Sequence, residues 1–363
     1  MTTPAIAGTA SPLDLTAIRR AVDTVLEEFL QRKAHTAASG HLPGEVTQVL
    51  HDFLFAGGKR LRPLLCVTGW HAAAGHGDTT PVIRTAASLE LFHAFALIHD
   101  DLMDRSATRR GHPTVHRALA ARYHGGRSSL AAEHLGTSGA ILVGDLALTW
   151  SDELLHTARV APGRLAAVLP VIDTMRTEVM YGQYLDLLAT GDPTDDLDTP
   201  LTVIRYKTAK YTVERPLHTG AVLADARPGA QAALTAFALP AGEAFQLRDD
   251  LLGVFGDPAV TGKSHLDDLR EGKHTALMAM ALRQADHGQA TQLHALVGDP
   301  QLDDQGAATV RDILTATGAR SAIEQMISLR HRQALSALDT DLLSPAAATT
   351  LRSLTDSLIR RSR

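Results

Sequence analysis

Two runs of aspartate residues, each followed by basic residues, are the part of this sequence best suited to chemistry. The first is Asp100-Asp101-Leu102-Met103-Asp104, and the second is Asp249-Asp250. Carboxylates packed this closely repel one another unless a positive charge joins them, and divalent cations with oxygen ligands are the simplest such charge. Arginine and lysine, the usual protein partners of phosphate, follow both runs. The pattern therefore predicts sites for divalent cations and for a phosphate or diphosphate.

The first run follows a segment whose apolar residues recur at three- and four-residue spacing, which predicts a helix ending at the aspartates. Asp100 and Asp104 then lie on one face and could share Mg²⁺ ions, whereas Asp101 points partly aside. His93 lies two turns earlier on the same face. Negative charge is unfavourable at a helix C-terminus, so its retention indicates a function. A solvated acidic helix end is the alternative for this run taken alone.

Other segments carry basic or polar groups that suit an anionic ligand. They are Gly57-Gly58-Lys59-Arg60-Leu61-Arg62, Arg109-Arg110, Lys207-Thr208 and the isolated Gln183. Backbone amides and cations beside a glycine turn can bind an anion, and two adjacent arginines point different ways and could serve two phosphate groups. Ordinary solvated charges, and a structural hydrogen bond for Gln183, are the alternatives for each segment alone.

The second run is also predicted to be helical, but it lacks a third carboxylate. Gln246 and Asp249 are three residues apart and can share a face of the helix. The residue four positions after Asp249 is Gly253. Acidic and basic residues follow as far as Lys273, at a spacing that predicts a flap closing over a metal and diphosphate. A solvated loop is the alternative reading of that segment.

The elements that must position these residues are predicted to be helices. Alanine and leucine are abundant, the aromatic fraction is 4%, and no convincing run of alternating β-branched residues occurs. The prediction is an all-α protein with a flexible lead over residues 1–12 and a single domain over residues 13–363. The stretch from Tyr123 to Gly139 is rich in glycine, serine and alanine and is predicted to be a mobile loop.

Composition and charge limit the classes of function. The hydrophobic fraction of 45% and the charged fraction of 21% are typical of a soluble globular protein. A net charge of −5 argues against nucleic acid as a partner. Cys66 is the only cysteine, which excludes an internal disulfide and fits a cytoplasmic location. No secretory signal is recognised, and no apolar stretch is expected to span a membrane.

In their order and spacing, these motifs resemble those of the trans-isoprenyl diphosphate synthases, the polyprenyl synthetase family, and above all its bacterial geranylgeranyl diphosphate type. The matching segments are GGKRLRP, HDDLMDRSATRRGHPTVH, KTAKYT, FQLRDDLLGVFGDPAVTGK and DDLREGK. The resemblance implies the isoprenoid synthase fold, in which long antiparallel helices surround a deep central cavity. It also implies that the two aspartate runs face each other across the cavity mouth, and that the protein is a homodimer.

The resemblance further implies a role for each matching residue. Mg²⁺, about three ions per site, would be bound by Asp100, Asp104 and Asp249, with Asp250 and Asp101 as adjacent carboxylates. The allylic diphosphate would be held by Arg109, Lys207, Thr208, Gln246 and Lys263, with Lys273 as an additional contact. Isopentenyl diphosphate would be held by Lys59, Arg62, His93 and Arg110. Gln183 would lie along the allylic chain near the forming cation.

The activity implied by the resemblance is head-to-tail condensation of isopentenyl diphosphate with allylic diphosphates. The favoured product is geranylgeranyl diphosphate (C20), and its length would be set by bulky residues before the first run. On an ideal helix Phe92 and Ala96 lie nearer the Asp100 face than Phe95 does, whereas the resemblance favours Phe95. Shorter or longer products remain alternatives, as do a class I terpene cyclase and a catalytically silent partner subunit.

Three residues depart from the family pattern. Gly253 stands where the third aspartate of the second motif is expected, and activity with one fewer carboxylate near the metals is the expectation. His265 and His274 stand where small residues and arginine are commoner in similar sequences. These two histidines affect what is expected of the closing flap, while the implied reaction class is unchanged.

Overall fold

The computed structural model describes residues 11–191, 193–256 and 266–359. These residues are helical almost throughout, which confirms the all-α prediction, and within them strands are limited to one two-residue pair. The chain divides into two compact units. The first unit comprises residues 15–64 and 78–161, and the second comprises the described residues among 11–14, 65–77 and 162–359. The single domain over 13–363 stays a prediction, and most of the predicted lead, residues 1–10, lies outside the described residues.

Residues 11–160 form six α-helices and a short hairpin, besides the 3₁₀ turn. The helices are α1 (Leu15–Ser39), α2 (Glu45–Phe55), α3 (Leu61–Ala72), α4 (Thr80–Met103), α5 (Val115–Tyr123) and α6 (Ser129–His156), and the strands are β1 (Thr108–Arg109) and β2 (His112–Pro113). All of these belong to the first unit except the part of α3 from Leu65 onward. The first aspartate run therefore ends α4, as the apolar periodicity predicted.

α4 is the central helix of the first unit and packs against α1, α2 and α6. Leu89, Phe92 and Ile98 are buried, consistent with a helix that is apolar on several sides. By length and composition α4 could cross a membrane, contrary to the expectation that no apolar stretch was long enough. Because 61% of its apolar window is buried, its apolar character is explained by packing in a protein core. The cytoplasmic location stays a prediction.

Residues 123–139 do not form the predicted mobile loop. A 3₁₀ turn at His124–Gly126 leads into α6, and the Ser128 hydroxyl caps that helix by accepting a hydrogen bond from the Ala131 amide at 3.3 Å. A Cβ added to Gly136 would lie 2.3 Å from the His116 carbonyl oxygen, so this glycine lets α6 approach α5 closely. The loop prediction was wrong because serine and glycine here serve capping and packing.

The second unit contains the remaining helices. They are α7 (Pro162–Ala189), α8 (Asp198–Val203), a π-helix (Ile204–Glu214), α9 (Arg215–Leu223), α10 (Ala230–Phe255), α11 (Asp267–Glu271), α12 (Ala276–Gln284), α13 (His287–Leu296), α14 (Asp304–Ala316), α15 (Ala319–Ala337) and α16 (Pro345–Ile359). α10 carries the second aspartate run. Its buried Leu247 and Leu251 join Leu269 of α11 and residues of α12 to α16 in one hydrophobic core.

The π-helix packs closely against both α7 and α10 because glycines face it. A Cβ on Gly182 of α7 would lie 2.7 Å from the Lys207 backbone nitrogen, and one on Gly242 of α10 would lie 2.5 Å from Ala209 Cα. π-Helical segments are rare and often occur at functional sites. The two glycines thus allow Lys207 and Thr208 to lie close to side chains of both neighbouring helices.

Ion pairs hold the same π-helix to α7. Lys210 donates to Glu178 Oε1 at 2.6 Å, and Arg215, at the start of α9, donates to both oxygens of Glu178 at 2.7 and 2.8 Å. Burial acts to raise the pKa of Glu178, but the bonds from Arg215 and Lys210 hold it below its ordinary value. This carboxylate therefore remains charged and holds the C-terminal part of the π-helix and the start of α9 against α7.

Replacing Gly242 with alanine is expected to lower the free energy of unfolding by about 1–3 kcal/mol, because the added methyl group has no space against Ala209. Denaturant-induced unfolding measures the change. Gly163→Ala is the matched control, since Gly163 lies in α7 with nothing within 4 Å of an added Cβ, and it should shift stability by less than about 1 kcal/mol. Equal effects from the two substitutions would contradict the close approach.

Candidate active site

Arg109 binds two carboxylates of the first aspartate run. Its Nε donates to Asp101 Oδ1 at 2.6 Å, and its Nη2 donates to Asp100 Oδ2 at 3.1 Å. Asp101 is buried, and burial raises its pKa to about 6 even though Arg109 acts in the opposite direction. The second Asp101 oxygen, Oδ2, is buried without a hydrogen-bond partner among the described residues. The pKa of Asp101 thus stays above its ordinary value despite the adjacent guanidinium group.

A tight hairpin orients the two adjacent arginines differently. β1 and β2 pair with Arg109 opposite His112, and Arg110 and Gly111 form the turn with φ of 54° and 77°. Whereas Arg109 binds the aspartates, Arg110 Nη1 donates to the Gly57 carbonyl oxygen. The sequence did not predict this hairpin, since Arg-Gly is not one of the dipeptides that identify such a turn.

Gly58 is required where the guanidinium of Arg110 packs on the glycine turn. Its φ is +133°, and a Cβ there would lie 2.8 Å from Arg110 Nη1. Both features exclude a larger side chain. The GGKRLRP segment is therefore in direct contact with the hairpin, as a shared anion site would need.

Arg60 is a structural residue, and the sequence analysis missed its role. Its side chain is buried and donates to Asp23 Oδ1 of α1 at 2.7 Å and to Glu90 Oε1 of α4 at 3.0 Å. Its φ of 52° is unfavourable for a residue with a side chain, and the two ion pairs offset that strain. The available signal was Glu90, an acid between apolar residues in the middle of α4.

His93 lies among four guanidinium groups. Burial lowers its pKa well below 6.5, and the charges of Arg62, Arg110, Arg109 and Arg60 lower it further. The imidazole is therefore neutral at pH 7. Three of the four residues assigned to isopentenyl diphosphate therefore lie close enough to influence one another's charge, namely Arg62, His93 and Arg110. The fourth, Lys59, is exposed on the adjoining glycine turn.

A cavity of about 460 Å³ lies against the arginine pair within the first unit. It is lined mainly by α2, the hairpin and α5, including His51, Phe55, Arg109, Arg110 and Arg122. Cationic and aromatic groups at one wall suit an anion with an apolar portion. There is consequently space beside Arg109 and Arg110 for a ligand larger than a single ion.

The three candidate chain-length residues differ in exposure. Phe92 is fully buried, whereas Phe95 and Ala96 are half-buried. Phe95 packs with its ring centroid 5.3 Å from Phe92 and 4.8 Å from His99. Of the two phenylalanines, only Phe95 retains accessible surface for contact with a ligand.

Lys207 pairs with an acid that the sequence analysis did not assign. Its Nζ donates to Asp186 Oδ2 of α7 at 2.7 Å. Asp186 stands three residues, about one helical turn, after Gln183, which is half-buried on the same helix. The spacing of Gln183 and Asp186 was the signal that could have identified this acid.

Gln246 connects the π-helix with the second aspartate run. Its Oε1 accepts a hydrogen bond from the Thr208 hydroxyl at 2.7 Å, and its Nε2 donates to Asp250 Oδ1 at 2.8 Å. Gln246 thus pairs with Asp250, and the expectation that Gln246 and Asp249 can share a face of the helix stays a prediction. Asp249 is left exposed on α10.

Asp250 lies in a strongly negative environment. Burial raises its pKa to about 7, and the charges of Asp268, Asp249 and Asp186 add to the rise, against the opposing hydrogen bond from Gln246. A carboxyl group with this pKa is only partly ionised near neutral pH. A cation bound beside it would favour the ionised form.

The remaining predicted residues lie around α11 or outside the described chain. Lys273 pairs with Glu271 at 2.9 Å and lies 3.8 Å from Asp268. His274 is buried, accepts a hydrogen bond from the Thr194 amide and lies 2.9 Å from the Asp196 carbonyl oxygen. It therefore anchors the segment after α7. Lys263 and His265 lie outside the described residues.

The donor atoms of both clusters fit Mg²⁺. They are carboxylate oxygens, one of them the buried Asp101 Oδ2, and Mg²⁺ prefers oxygen ligands. Among the described residues, no group of three or more histidine, cysteine, aspartate or glutamate side chains is arranged to enclose an ion. Mg²⁺ commonly binds through one or two carboxylates, with water and substrate phosphate completing its shell. Both aspartate clusters could provide such partial coordination.

Replacing Asp250 with asparagine is expected to stabilise the metal-free protein more at pH 8 than at pH 5. Because the folded-state pKa of about 7 exceeds the ordinary 3.8, wild-type stability falls as pH rises from about 4 to 7. Asparagine does not titrate, so the variant does not lose stability in this way. Its free energy of unfolding relative to the wild type should therefore rise by about 2 kcal/mol between pH 5 and pH 8. Unfolding in EDTA at both pH values measures it. Asp267→Asn, an exposed control, should show no such growth, and an equal gain at both pH values would contradict the assignment.

Comparisons with known proteins identify the family of this chain. Residues 43–314 match the polyprenyl synthetase family. The geranylfarnesyl diphosphate synthase of Aeropyrum pernix is 33% identical over 267 residues, which are 73% of this chain and 77% of that protein. The geranylgeranyl diphosphate synthase of Mycobacterium tuberculosis is 33% identical over 295 residues, which are 79% of this chain and 77% of that protein.

A solved structure is similar over nearly the whole chain. It is the geranylgeranyl pyrophosphate synthase of Corynebacterium glutamicum, crystallised with isoprenyl diphosphate and magnesium. The TM-score is 0.90 with 39% sequence identity, covering 96% of this chain and all of that one. The family match and these relatives confirm the resemblance seen in the motifs. The chain belongs to the polyprenyl synthetase family.

Proposed function

We propose that the protein is a Mg²⁺-dependent prenyltransferase that condenses isopentenyl diphosphate with allylic diphosphates, chiefly to all-trans geranylgeranyl diphosphate. The observation that carries the proposal is the pairing of Arg109 with Asp100 and Asp101 beside the arginines around His93. Carboxylates for cations and guanidinium groups for phosphate thus occur together in a chain of this family. The second cluster repeats the combination with Asp186, Lys207 and Asp250.

The reaction breaks the C–O bond of the allylic diphosphate, and the bonding electrons leave with the diphosphate. The double bond of isopentenyl diphosphate supplies the electron pair for the new C–C bond to C1 of the allylic group. A proton is then lost from C2 and is taken up by the released diphosphate. Bound Mg²⁺ would neutralise the negative charge that develops on the leaving group.

The basic residues of the chain would bind and orient both substrates. Arg109 has five N–H donors, so it can keep its bonds to the aspartates and still donate to phosphate oxygens. Lys207 would contribute a second cation to the leaving diphosphate, with Thr208 and Gln246 fixing its surroundings. Neutral His93 would donate its one N–H to isopentenyl diphosphate, alongside the guanidinium groups of Arg62 and Arg110.

The C20 product is favoured by the relatives and is consistent with the α4 side chains. Geranylgeranyl synthases occur among the similar proteins and structures. Phe95 and Ala96 retain accessible surface one to two turns before Asp100, whereas Phe92 is enclosed. We assign the limit on chain length to Phe95, as the resemblance favoured, and a core role to Phe92.

Product analysis of the purified protein tests the proposal. The protein is incubated with Mg²⁺, isopentenyl diphosphate and, separately, C5, C10 and C15 allylic diphosphates, and the dephosphorylated alcohols are sized. A dominant C20 alcohol is expected. C15 alone, or C25 and longer, would keep the chemistry and overturn the length assignment. Cyclised hydrocarbon formed without isopentenyl diphosphate would indicate a cyclase, and no product would indicate a silent subunit.

The same assay separates the two phenylalanines. Phe95→Ala is expected to shift the product to longer chains because it shortens a partly accessible side chain. Phe92→Ala should instead lower the free energy of unfolding by about 3–5 kcal/mol, because it leaves a cavity in the core. Ala96→Phe, which adds bulk nearer the aspartates, should shorten the product. An unchanged product distribution in Phe95→Ala would refute the length assignment.

We further propose that the protein is a homodimer, as the family resemblance implied. α6 exposes Leu130, Ile141 and Leu142, and α7 exposes an apolar stripe of its own. The α7 residues are Met180, Tyr181, Tyr184, Leu187 and Leu188. Exposed apolar faces of this kind on two successive long helices are typical of surfaces buried by a second copy.

Light scattering coupled to size-exclusion chromatography tests the dimer. The wild type is expected to have twice the mass of one chain, and Leu142→Glu should shift it toward the monomer by placing charge in the interface. Leu42→Glu is the control, since both leucines are 63% exposed but Leu42 lies between α1 and α2. A monomeric wild type, or an equal response to both substitutions, would reject this proposal.

A further inference from the structure

His99 lies one helical turn after Phe95 on α4 and packs against its ring. The two ring centroids are 4.8 Å apart with an interplanar angle of 68°, which is an edge-to-face contact. In the other direction along α4, the buried ring of Phe92 lies 5.3 Å from that of Phe95. The Phe95 side chain is therefore held between the ring that precedes it and the ring that follows it on the same helix.

The imidazole of His99 is in turn fixed by α6. Its Nε2 lies 3.2 Å from the Ile141 carbonyl oxygen, which can only accept a hydrogen bond, and 3.7 Å from Asp145 Oδ1. A Cβ added to Gly144 would lie 2.3 Å from Nε2 and 2.5 Å from Cδ2 of His99, so the ring packs directly on the α6 backbone at this glycine. His99 is thus held by a neighbouring helix, and it supports Phe95 from that position.

His99 also lines a cavity of about 630 Å³ between α4, α5 and α6. The apolar part of the lining includes Leu102, Met103 and Ile141. Of the two rings in contact, His99 lines this cavity and Phe95 does not. The imidazole therefore separates the Phe95 ring from a space large enough to receive it. Without the imidazole, Phe95 would have room to adopt another rotamer.

We propose that His99 is a positioning residue for product length: it holds the Phe95 ring in place and so keeps the prenyl chain from growing longer. The inference rests on the proposed function and on the assignment of the length limit to Phe95. His99 acts through Phe95 and has no contact with the growing chain. Its effect depends on closing the space into which the Phe95 ring would otherwise turn.

Replacing His99 with alanine is expected to lengthen the product, because the Phe95 ring can then turn toward the cavity and leave more depth for the chain. The purified protein is incubated with Mg²⁺, isopentenyl diphosphate and the C15 allylic diphosphate, and the dephosphorylated alcohols are sized. The ratio of C25 and longer alcohols to the C20 alcohol should rise about tenfold. His99→Gln keeps much of the volume and a donor for the Ile141 carbonyl oxygen, so its ratio should stay within about threefold of the wild type.

A double substitution distinguishes positioning of Phe95 from a general loosening of the fold. Adding His99→Ala to Phe95→Ala should not lengthen the product further, because the ring on which His99 acts is already absent. Additional lengthening in the double variant would overturn the proposal. His116→Ala is the matched control, since His116 lines the same cavity from α5, and it should leave the ratio unchanged.

The unfolding transition of each variant is recorded alongside its products. If His99→Ala does not fold, His99→Val, which keeps more of the side-chain volume, is assayed in its place with the same expectation. An unchanged ratio in the variant that folds would overturn the proposal.

The outcomes also separate this proposal from the proposed function. A wild type that makes no prenyl product rejects the proposed function. A wild type that makes the C20 product, together with an unchanged ratio in His99→Ala, rejects the positioning role alone. An unchanged ratio in Phe95→Ala rejects both the length assignment and the role of His99, while the condensation reaction stands.

Discussion

Carboxylate groups that lie close together in a partly buried site must gain a positive partner or lose their charge, and this constraint shapes both aspartate clusters. Asp101 has Arg109 beside it, yet burial still raises its pKa to about 6. Asp250 is bonded by the neutral Gln246 amide, and its pKa rises to about 7. Each cluster therefore contains a carboxyl group with a raised pKa, and a cation bound beside it would favour the ionised form.

Buried ion pairs outside the two clusters help to hold the charged site residues in place. Arg60 is fixed between Asp23 and Glu90, and it orders the glycine turn ahead of α3. Glu178 does the same for the π-helix by binding Lys210 and Arg215. Removing one partner of such a pair leaves an uncompensated buried charge, which is costly. These ion pairs are not assigned to a ligand. They position the neighbouring side chains that are proposed to bind one.

Close packing of helices at glycines also positions the site residues. The sequence predicted the helices but not this packing. The long apolar periodicity correctly placed the aspartate runs in α4 and α10, because helical spacing is visible in the residues themselves. Gly136 and Ser128 were read as a loop, although they pack and cap α6. A glycine that permits close approach cannot be told from one that permits flexibility until its neighbour is known.

The sequence by itself determined the all-α class, the two aspartate runs, the basic motifs and the family, because these depend on residue type and spacing along the chain. Only the tertiary structure decided which charges are partners. Arg60 binds Asp23 and Glu90, and Lys207 binds Asp186. Each of these contacts joins residues distant in sequence, and its existence depends on how helices pack rather than on any local pattern.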